Sequence, residues 1–342
     1  MIRDKIDQIQ GEAEMTGQKV YLIDGKRTPF GKFGSKLSQI TPRELATLCS
    51  VDLLQSLNLK PESIDQVILG NVVPSSSDTL YGARNLALSV GCPEQTPAYM
   101  VNRLCGSGLQ SIADAYNLIK LQRSGLLLAS GTENMSMVPH LTYGARFGSK
   151  YGSLKSVDLL LDALTDQYSG CPMGMTAENL AEQYQISRQQ CEKFSMLSHQ
   201  KLSEAYKKNY LQSQLTSIEL KRGNLEKDEH YRESLSLEEL EKLRASFKKD
   251  GVVTAATASG IVDGACSVMI ASEEKVKSLN LTPLAEVIDY SVVGVDPKIM
   301  GIGPVPASQI LMKRNNIEMK DIDLWEINEA LASQGLSSQN EL

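Results

Sequence analysis

Cys105 occupies a position in the sequence that suits a nucleophilic thiol. It follows an apolar, strand-like run and precedes a helix that the sequence predicts to start close to Gly106. A thiol at a helix start faces unpaired backbone N–H groups and the positive end of the helix dipole, which favour the thiolate. The same N–H groups could stabilise an oxyanion when the sulfur attacks a carbonyl, and Gly106 and Gly108 put no side chain in the way. A buried structural role is the commoner fate of a lone cysteine, so the context must decide.

The segment Val-Asn-Arg-Leu-Cys-Gly-Ser-Gly-Leu-Gln-Ser-Ile at residues 101–112 resembles the nucleophile motif of thiolases, enzymes that exchange acyl groups between ketoacyl thioesters and coenzyme A. The resemblance runs from about Val20 to the last residues. Further motifs follow in the order typical of the family, at residues 24–31, 175–181, 258–265, 301–306 and 328–330. Residues 247–251 and 296–306 are most similar to degradative 3-ketoacyl-CoA thiolases, also called acetyl-CoA acyltransferases.

The resemblance implies a set of site residues. Cys105 would take the acyl group, and Asn328 of the Asn-Glu-Ala motif would position a water in an oxyanion hole. Coenzyme A (CoA) is expected as a co-substrate, with no covalently bound cofactor and no metal. The residues that the resemblance places beside CoA or its acyl group are Arg232, Phe247, Ala255, Ser259, Leu164, Met173, Ala330 and Leu331.

Three departures from the family pattern affect these expectations. Ala256 and Thr257 stand where Gly-Asn is usual, and Leu331 stands where Phe follows the Asn-Glu-Ala motif. The family's activating His and its second Cys would lie beyond Leu342, so we expect an incomplete second half and, for the 342-residue chain, slow acylation with little turnover. Three interpretations stay open: a thiolase, a catalytically inactive CoA-binding relative, and a decarboxylating condensing enzyme, which has the least support.

The other titratable candidates are weaker. His140 reads as a loop residue, and His199 and His230 as solvated residues of a polar helix and a charged run. Cys266 is expected in the core, whereas Cys171 before Pro172 could approach a substrate channel. The charge run at residues 220–249 is expected to be a solvated face.

Composition excludes several classes of function. The formal net charge of −6 comes with no basic stripe, so neither nucleic acid nor an anionic membrane is an expected partner. Six cysteines scattered singly, with no metal-ligand spacing, indicate free thiols in a reducing cytoplasm. Acidic residues before residue 18 argue against a transit peptide. We expect a cytoplasmic homodimer or homotetramer and leave open whether Met1 or Met15 is the start.

Strand candidates that alternate with helices predict an α/β fold with a mostly parallel sheet. The resemblance implies the thiolase-like fold, two duplicated α/β halves in layers. The predicted organisation is an N-terminal extension (1–18), an N-terminal half (19–134 and 263–275), an inserted, mostly helical, CoA-binding region (135–262) and a partial C-terminal half (276–342). Strands are expected near residues 285 and 323. No G-x-G-x-x-G or P-loop spacing points to a dinucleotide or a nucleoside triphosphate.

Overall fold

The computed structural model describes residues 17–221 and 223–342. The predicted N-terminal extension (1–18) therefore lies almost wholly outside the described residues. Contacts divide the chain into two units. Unit 1 runs up to Met137 and includes Ser213–Lys227 and Asp263–Ile288, and unit 2 comprises Val138–Gln212, Asp228–Val262 and Asp289–Leu342.

Unit 1 is built on one mixed sheet. The larger elements of this unit are β1 (Val20–Arg27), β2 (Gly31–Lys32), α1 (Pro42–Ser56), β3 (Gln66–Gly70), α2 (Gly82–Val90), β4 (Ala98–Val101), α3 (Ser107–Lys120), β5 (Leu126–Asn134), β10 (Ile218–Leu220), β11 (Gly223–Leu225), β12 (Val262–Ser272), α8 (Glu273–Ser278) and β13 (Ala285–Glu286). Among the described residues the strand order is β13–β1–β12–β5–β3–β4, with β2 beside β12.

The sheet corrects the prediction of a mostly parallel arrangement. Strands β5, β3 and β4 pair in parallel, whereas β12 pairs antiparallel with both β1 and β5. A single helical crossover returns the chain parallel to the preceding strand, as α2 and α3 do here. No such constraint applies to β12, because the chain reaches it after a long excursion through unit 2.

The core of unit 1 is aliphatic and centred on β3, β5 and α1. Its fully buried side chains include Ile23, Leu45, Leu53, Leu69, Leu126 and Leu128. Burying each contributes roughly 1.5–3 kcal/mol. Helix α1 begins with a capping box: Glu44 N donates to Thr41 Oγ1 (3.2 Å), and Thr41 N donates to Glu44 Oε2 (2.9 Å).

Unit 2 is richer in helix. It contains β6 (His140–Thr142), β7 (Ser156–Asp158), α4 (Leu159–Ala163), β8 (Thr165–Asp166), β9 (Cys171–Pro172), α5 (Met173–Gln183), α6 (Arg188–Lys207), α7 (Leu237–Glu241), α9 (Pro304–Asn315) and α10 (Ala332–Glu341). Helix α6 begins with a capping box at Ser187, and α7 begins with one at Ser236. Helix α10 contacts α5 and α6 around a small core with Ala181, Ile186 and Cys191.

Two sequence expectations differ from the structure here. The inserted region (135–262) contains the hairpins β6–β7, β8–β9 and β10–β11 besides its helices, and residues 213–227 group with unit 1. Thr216 N, for example, donates to Arg27 O (2.8 Å). The proposed domain boundaries remain a prediction.

The expected strand near residue 323 is wrong. Residues 322–329 form no strand in the described part of the chain, and Leu324 is 80 % exposed. An apolar run becomes a strand only where another strand accepts its backbone, and no described strand pairs with this one. None of the helices that the structure describes combines the length and apolarity needed to cross a membrane.

Candidate functional site

Cys105 lies on a tight turn between β4 and α3 of unit 1. Helix α3 begins at Ser107 with Gly106 as its N-cap, as the sequence predicted. Cys105 is exposed, and Leu104 before it has a φ of +46°, a left-handed conformation that costs an ordinary side chain about 1–2 kcal/mol. The turn thus holds the thiol at the surface with a strained residue beside it.

Side-chain hydrogen bonds fix this turn. Leu104 N donates to Asn102 Oδ1 (3.0 Å), and Arg103 N donates to Ser107 Oγ (2.9 Å). The Ser107 hydroxyl in turn donates to Leu104 O (2.6 Å). The buried Ser107 hydroxyl therefore ties the start of α3 to the two residues that precede Cys105.

Glycines bring the start of α3 against the sheet. A Cβ at Gly70, at the end of β3, would lie 2.6 Å from the backbone carbonyl of Ser107. A Cβ at Gly131 in β5 would lie 3.2 Å from the Cα of Gly108, whereas a Cβ at Gly108 would meet nothing within 4 Å. Only glycine fits at Gly70, because backbone atoms cannot move aside as a side chain can.

Two of the backbone donors expected near the thiol are already used. Gly106 N donates to Arg103 O (3.0 Å), and Ser107 N donates to Leu104 O (2.9 Å). The sequence expectation that unpaired N–H groups surround Cys105 therefore does not hold for these two groups. Stabilisation of an oxyanion at Cys105 therefore requires donors other than these two N–H groups.

A half-buried carboxylate supports the turn from β5. Glu133 accepts hydrogen bonds from Val72 N (2.9 Å), Val73 N (3.1 Å) and Asn71 Nδ2 (3.0 Å). Burial nonetheless raises the pKa of Glu133 above its ordinary value. Val72 O accepts in turn from Asn102 Nδ2 (3.1 Å), so the carboxylate orders the segment that holds Asn102.

The remaining thiols are poorer nucleophiles. Burial raises the pKa of Cys49 and of Cys191 to about 12 and that of Cys92 to about 11. Burial also raises the pKa of Cys266, in β12 of the sheet. Cys171 is half-buried in the β8–β9 hairpin of unit 2, so Cys105 is the exposed thiol of the six.

In unit 2 the structure brings two sequence motifs together. Ser259 N donates to Ala330 O (2.9 Å), and Ala332 N donates to Thr257 O (2.8 Å). Ala258 and Leu331 form an antiparallel bridge between them. The predicted CoA-binding residues Ser259 and Ala330 are exposed on the two sides of this pairing, and Ala255 is exposed in the turn that precedes it.

The two departures in this region prove compatible with the backbone. Ala256 is not in the left-handed region, so a glycine is not required there. Thr257 caps its own turn, since Thr254 N donates to Thr257 Oγ1 (2.8 Å) and the Thr257 hydroxyl donates to Val252 O (2.8 Å). Leu331 is half-buried, and Asn328 is exposed.

His199 and His230, which the sequence suggested were merely solvated, belong to a polar cluster. Arg232 N donates to His199 Nδ1 (3.2 Å), and the His230 ring lies against Gly260. Burial, helped by the nearby positive charges of His230 and Arg232, lowers the pKa of His199. Glu329 opposes this shift, and its carboxylate accepts from the Ser198 hydroxyl. The backbone of the predicted CoA residue Arg232 is therefore held by His199, and its side chain is exposed.

The predicted acyl-side residues form a second group in unit 2. Met173 N donates to Leu164 O (3.0 Å), and both side chains are half-buried. The ring of Phe247, 44 % exposed, lies directly over Gly174, the neighbour of Met173. His140 is exposed in the β6–β7 hairpin.

Sequence reasoning missed Glu178. Its side chain is 3 % exposed although it is a carboxylate within a helix. The available signal was its spacing of four from Gly174, which puts both residues on one face of α5. No group of three or more His, Cys, Asp or Glu side chains suited to a metal occurs in the described ranges.

Comparisons with known proteins agree with this geometry. The family models for the thiolase N-terminal and C-terminal domains match residues 20–274 and 281–342. The chain is 45 % identical over 328 residues to the mitochondrial 3-ketoacyl-CoA thiolase of Homo sapiens, covering 94 % of this chain and 83 % of the relative. It is 43 % identical over 330 residues to a probable acetyl-CoA acyltransferase of Staphylococcus aureus (strain COL), covering 95 % and 84 %.

Solved structures match over the same extent. The crystal structure of human mitochondrial 3-ketoacyl-CoA thiolase in complex with CoA aligns with a TM-score of 0.93 at 45 % identity, over 94 % of this chain and 82 % of that one. The acetyl-CoA acetyltransferase of Bacillus anthracis aligns with a TM-score of 0.90 at 38 % identity, over 95 % and 83 %. The fold is thus the mixed α/β thiolase fold, and the chain belongs to the thiolase family.

Proposed function

We propose that this protein is an acetyl-CoA C-acyltransferase that moves an acyl group between a 3-ketoacyl-CoA and CoA through a thioester on Cys105. The observation that carries the proposal is the Cys105 turn. It presents one exposed thiol at the start of α3, among small residues, while burial raises the pKa of four of the other five thiols. Membership of the thiolase family supports the same chemistry.

The chemistry proceeds in two displacements. The Cys105 thiolate attacks the 3-keto carbon, the bond between C2 and C3 breaks, and the electron pair leaves on C2 as the enolate of acetyl-CoA, which takes up a proton. The thiolate of a CoA molecule then attacks the acyl-cysteine, and Cys105 leaves as a thiolate. The reverse sequence is a Claisen condensation.

Asn328 is proposed to hold the water that donates to the oxyanion in the first displacement. Its exposed position beside the paired 257–259 and 330–332 segments supports this role. For CoA we propose that Arg232 contacts the adenine, Phe247 the adenine or pantetheine, and Ser259 the pantetheine arm. Ala255, Ala330 and Leu331 would line its tunnel, with Leu164 and Met173 near the thioester.

The relatives' names suggest the substrate and the process. The human and other mammalian relatives are 3-ketoacyl-CoA thiolases, and one solved relative was crystallised with CoA. We therefore propose thiolytic cleavage of 3-ketoacyl-CoA in fatty-acid β-oxidation. We also propose that the protein is a cytoplasmic homo-oligomer, a dimer or tetramer. The six free cysteines favour a reducing compartment such as the cytoplasm. Light scattering on the purified chain tests the oligomer.

The experiment that tests the acyl transfer is a single-turnover acylation. The chain is incubated with acetyl-CoA, and intact-mass and peptide mass spectrometry locate any acetyl group. We expect one acetyl group on Cys105 that added CoA removes, and none in Cys105→Ser. Acetylation at another cysteine, or none in a folded chain that binds CoA, would contradict the proposal.

A further inference from the structure

Two buried residues of α5 lie on the same face of the helix and meet the same loop. Gly174 and Glu178 are four residues apart, and neither is accessible to solvent to any large extent. We call them the α5 face. Residues 246–253 pack against these two residues, and we call this segment the 246–253 loop. Phe247 lies near one end of the loop.

Glu178 holds the second end of the loop. Val252 N donates to Glu178 Oε2 (3.0 Å), and Val253 N donates to Glu178 Oε1 (2.9 Å). Gly251 lies so close to this carboxylate that a Cβ would overlap it. A buried carboxylate is costly unless donors satisfy it, so its position and that of the two amides are mutually fixed.

Gly174 receives the first end of the loop. The Phe247 ring occupies the space that a Cβ of residue 174 would need. The loop is closed on itself as well, because Ser246 N donates to Val253 O (2.8 Å) and Gly251 N donates to Lys248 O (3.0 Å). Both ends of the loop are therefore seated on one helical face, and the backbone position of Phe247 depends on that seating.

We propose that the α5 face is a positioning element for CoA, with Glu178 as the principal positioning residue. It touches no substrate; it holds the 246–253 loop so that Phe247, and the following Ala255 and Ser259, present their side chains to CoA. This inference rests on the proposed function. The inference predicts that loss of the Glu178 carboxylate weakens CoA binding. The reactivity of Cys105, which belongs to unit 1, should not change.

The test compares Glu178→Gln with Glu182→Gln. Gln keeps the size of the side chain but turns an NH₂ group toward an N–H donor, so one loop bond is lost. Glu182 is one turn further along α5 and also reaches the loop, through an exposed ion pair with Lys248 (2.8 Å), which contributes little. Calorimetry with CoA should show about tenfold weaker binding for Glu178→Gln, as expected for a charge-assisted hydrogen bond, and less than about twofold for Glu182→Gln.

Two further readouts separate positioning from general damage. Hydrogen exchange of the peptide that contains Val252 and Val253 should accelerate in Glu178→Gln, while the rate of Cys105 alkylation by iodoacetamide should equal that of the wild type. Gly174→Ala, which displaces the Phe247 ring and keeps the carboxylate, should also weaken CoA binding. This second variant decides the matter if circular dichroism shows that Glu178→Gln does not fold.

The outcomes are distinguishable. Unchanged CoA affinity in folded Glu178→Gln, or in Gly174→Ala where that variant decides, overturns the inference and leaves the proposed function standing. Equal weakening by Glu178→Gln and Glu182→Gln also overturns it. No CoA binding by the folded wild type contradicts the proposed CoA site itself, and the inference with it.

Discussion

The Cys105 turn and the 246–253 loop are fixed in different ways. Side-chain hydrogen bonds shape the turn itself, but the turn is seated on the sheet by backbone against backbone: the start of α3 meets Gly70 and Gly131 at distances that admit no Cβ without movement. The loop is held by a side chain against backbone, because the Glu178 carboxylate accepts two of its amides. The turn that carries the nucleophile is thus seated by contacts between backbone atoms, and the binding loop is seated by a side chain.

The two regions should therefore tolerate substitutions differently. Backbone contacts are rigid, so a small displacement of the turn requires the sheet or α3 to shift. A carboxylate on a rotatable side chain allows some adjustment while its donors stay paired. We therefore expect substitutions under the turn to reduce stability, and those under the loop to reduce ligand affinity first.

Gly70→Ala should have the largest effect on stability. The added methyl group would lie 2.6 Å from the carbonyl of Ser107, so α3 or β3 must move. Overpacking of this kind costs about 1–3 kcal/mol in the free energy of unfolding. Urea denaturation measures it, and iodoacetamide labelling should show an altered rate at Cys105.

Gly108→Ala is the matched control, because its Cβ would meet nothing within 4 Å. Alanine is favoured over glycine in a helix by about 1 kcal/mol, so this variant should be as stable as the wild type or more so. If both variants lose equal stability, the turn is not held by the close contact at Gly70.

The sequence allowed the local geometry of the Cys105 turn to be predicted, but not the glycines of the sheet against which the turn packs. The motif around Cys105 fixed the strand, the turn and the helix start. The roles of Gly70 and Gly131 depend on the pairing of β3 with β5, which no local pattern reveals. The antiparallel direction of β12 was missed for the same reason.

Prediction of the CoA-binding residues from sequence was limited in the same way. The resemblance named exposed residues such as Ser259 and Phe247, whereas it gave no role to Glu178, although this residue lies in the 175–181 motif. Its burial arises from a loop 74 residues further along the chain. The expected strand near 323 failed because an apolar pattern specifies a strand only with a partner beside it.

Ser107→Ala should have the next largest effect on stability. The hydroxyl accepts from Arg103 N and donates to Leu104 O, and its burial leaves no water to replace it. Losing it leaves a backbone donor unpaired, at a cost of about 1–2 kcal/mol by urea denaturation. Cys105 should also lose its preferred position, seen as a changed alkylation rate. Unchanged stability and rate would show that the backbone alone fixes the turn.

Ser259→Ala should weaken CoA binding and leave stability nearly unchanged. The backbone N–H of Ser259 keeps its bond to Ala330, so only the exposed hydroxyl is lost. One hydrogen bond corresponds to about 0.5–1.5 kcal/mol, or roughly two- to tenfold in Kd by calorimetry. Ser213→Ala in unit 1 is the control and should bind CoA as the wild type does. An equal Kd for Ser259→Ala would remove this residue from the proposed site.

His199 should give the smallest effect, a pH dependence of stability. Its pKa is lowered from the ordinary 6.5 in the folded chain, so folding favours the neutral ring. The stability from this residue is present above the unfolded pKa and is lost as pH falls through the folded pKa. His199→Asn keeps an acceptor for Arg232 N but does not titrate. Urea midpoints at pH 7.5 and 5 should therefore differ less in the variant. An identical pH dependence in the variant and the wild type would mean that folding does not lower the pKa of His199.

Labelling with bromoacetyl-CoA, an electrophile carried by CoA, tests most directly whether Cys105 is the acyl acceptor. If Cys105 is the acyl acceptor of a CoA thioester, peptide mapping should find a single alkylated cysteine, Cys105. Labelling should be faster than with iodoacetamide at the same concentration, slowed by excess CoA and absent in Cys105→Ser. Labelling of Cys171 ahead of Cys105, or a Cys105 rate that CoA does not protect, would contradict the central claim.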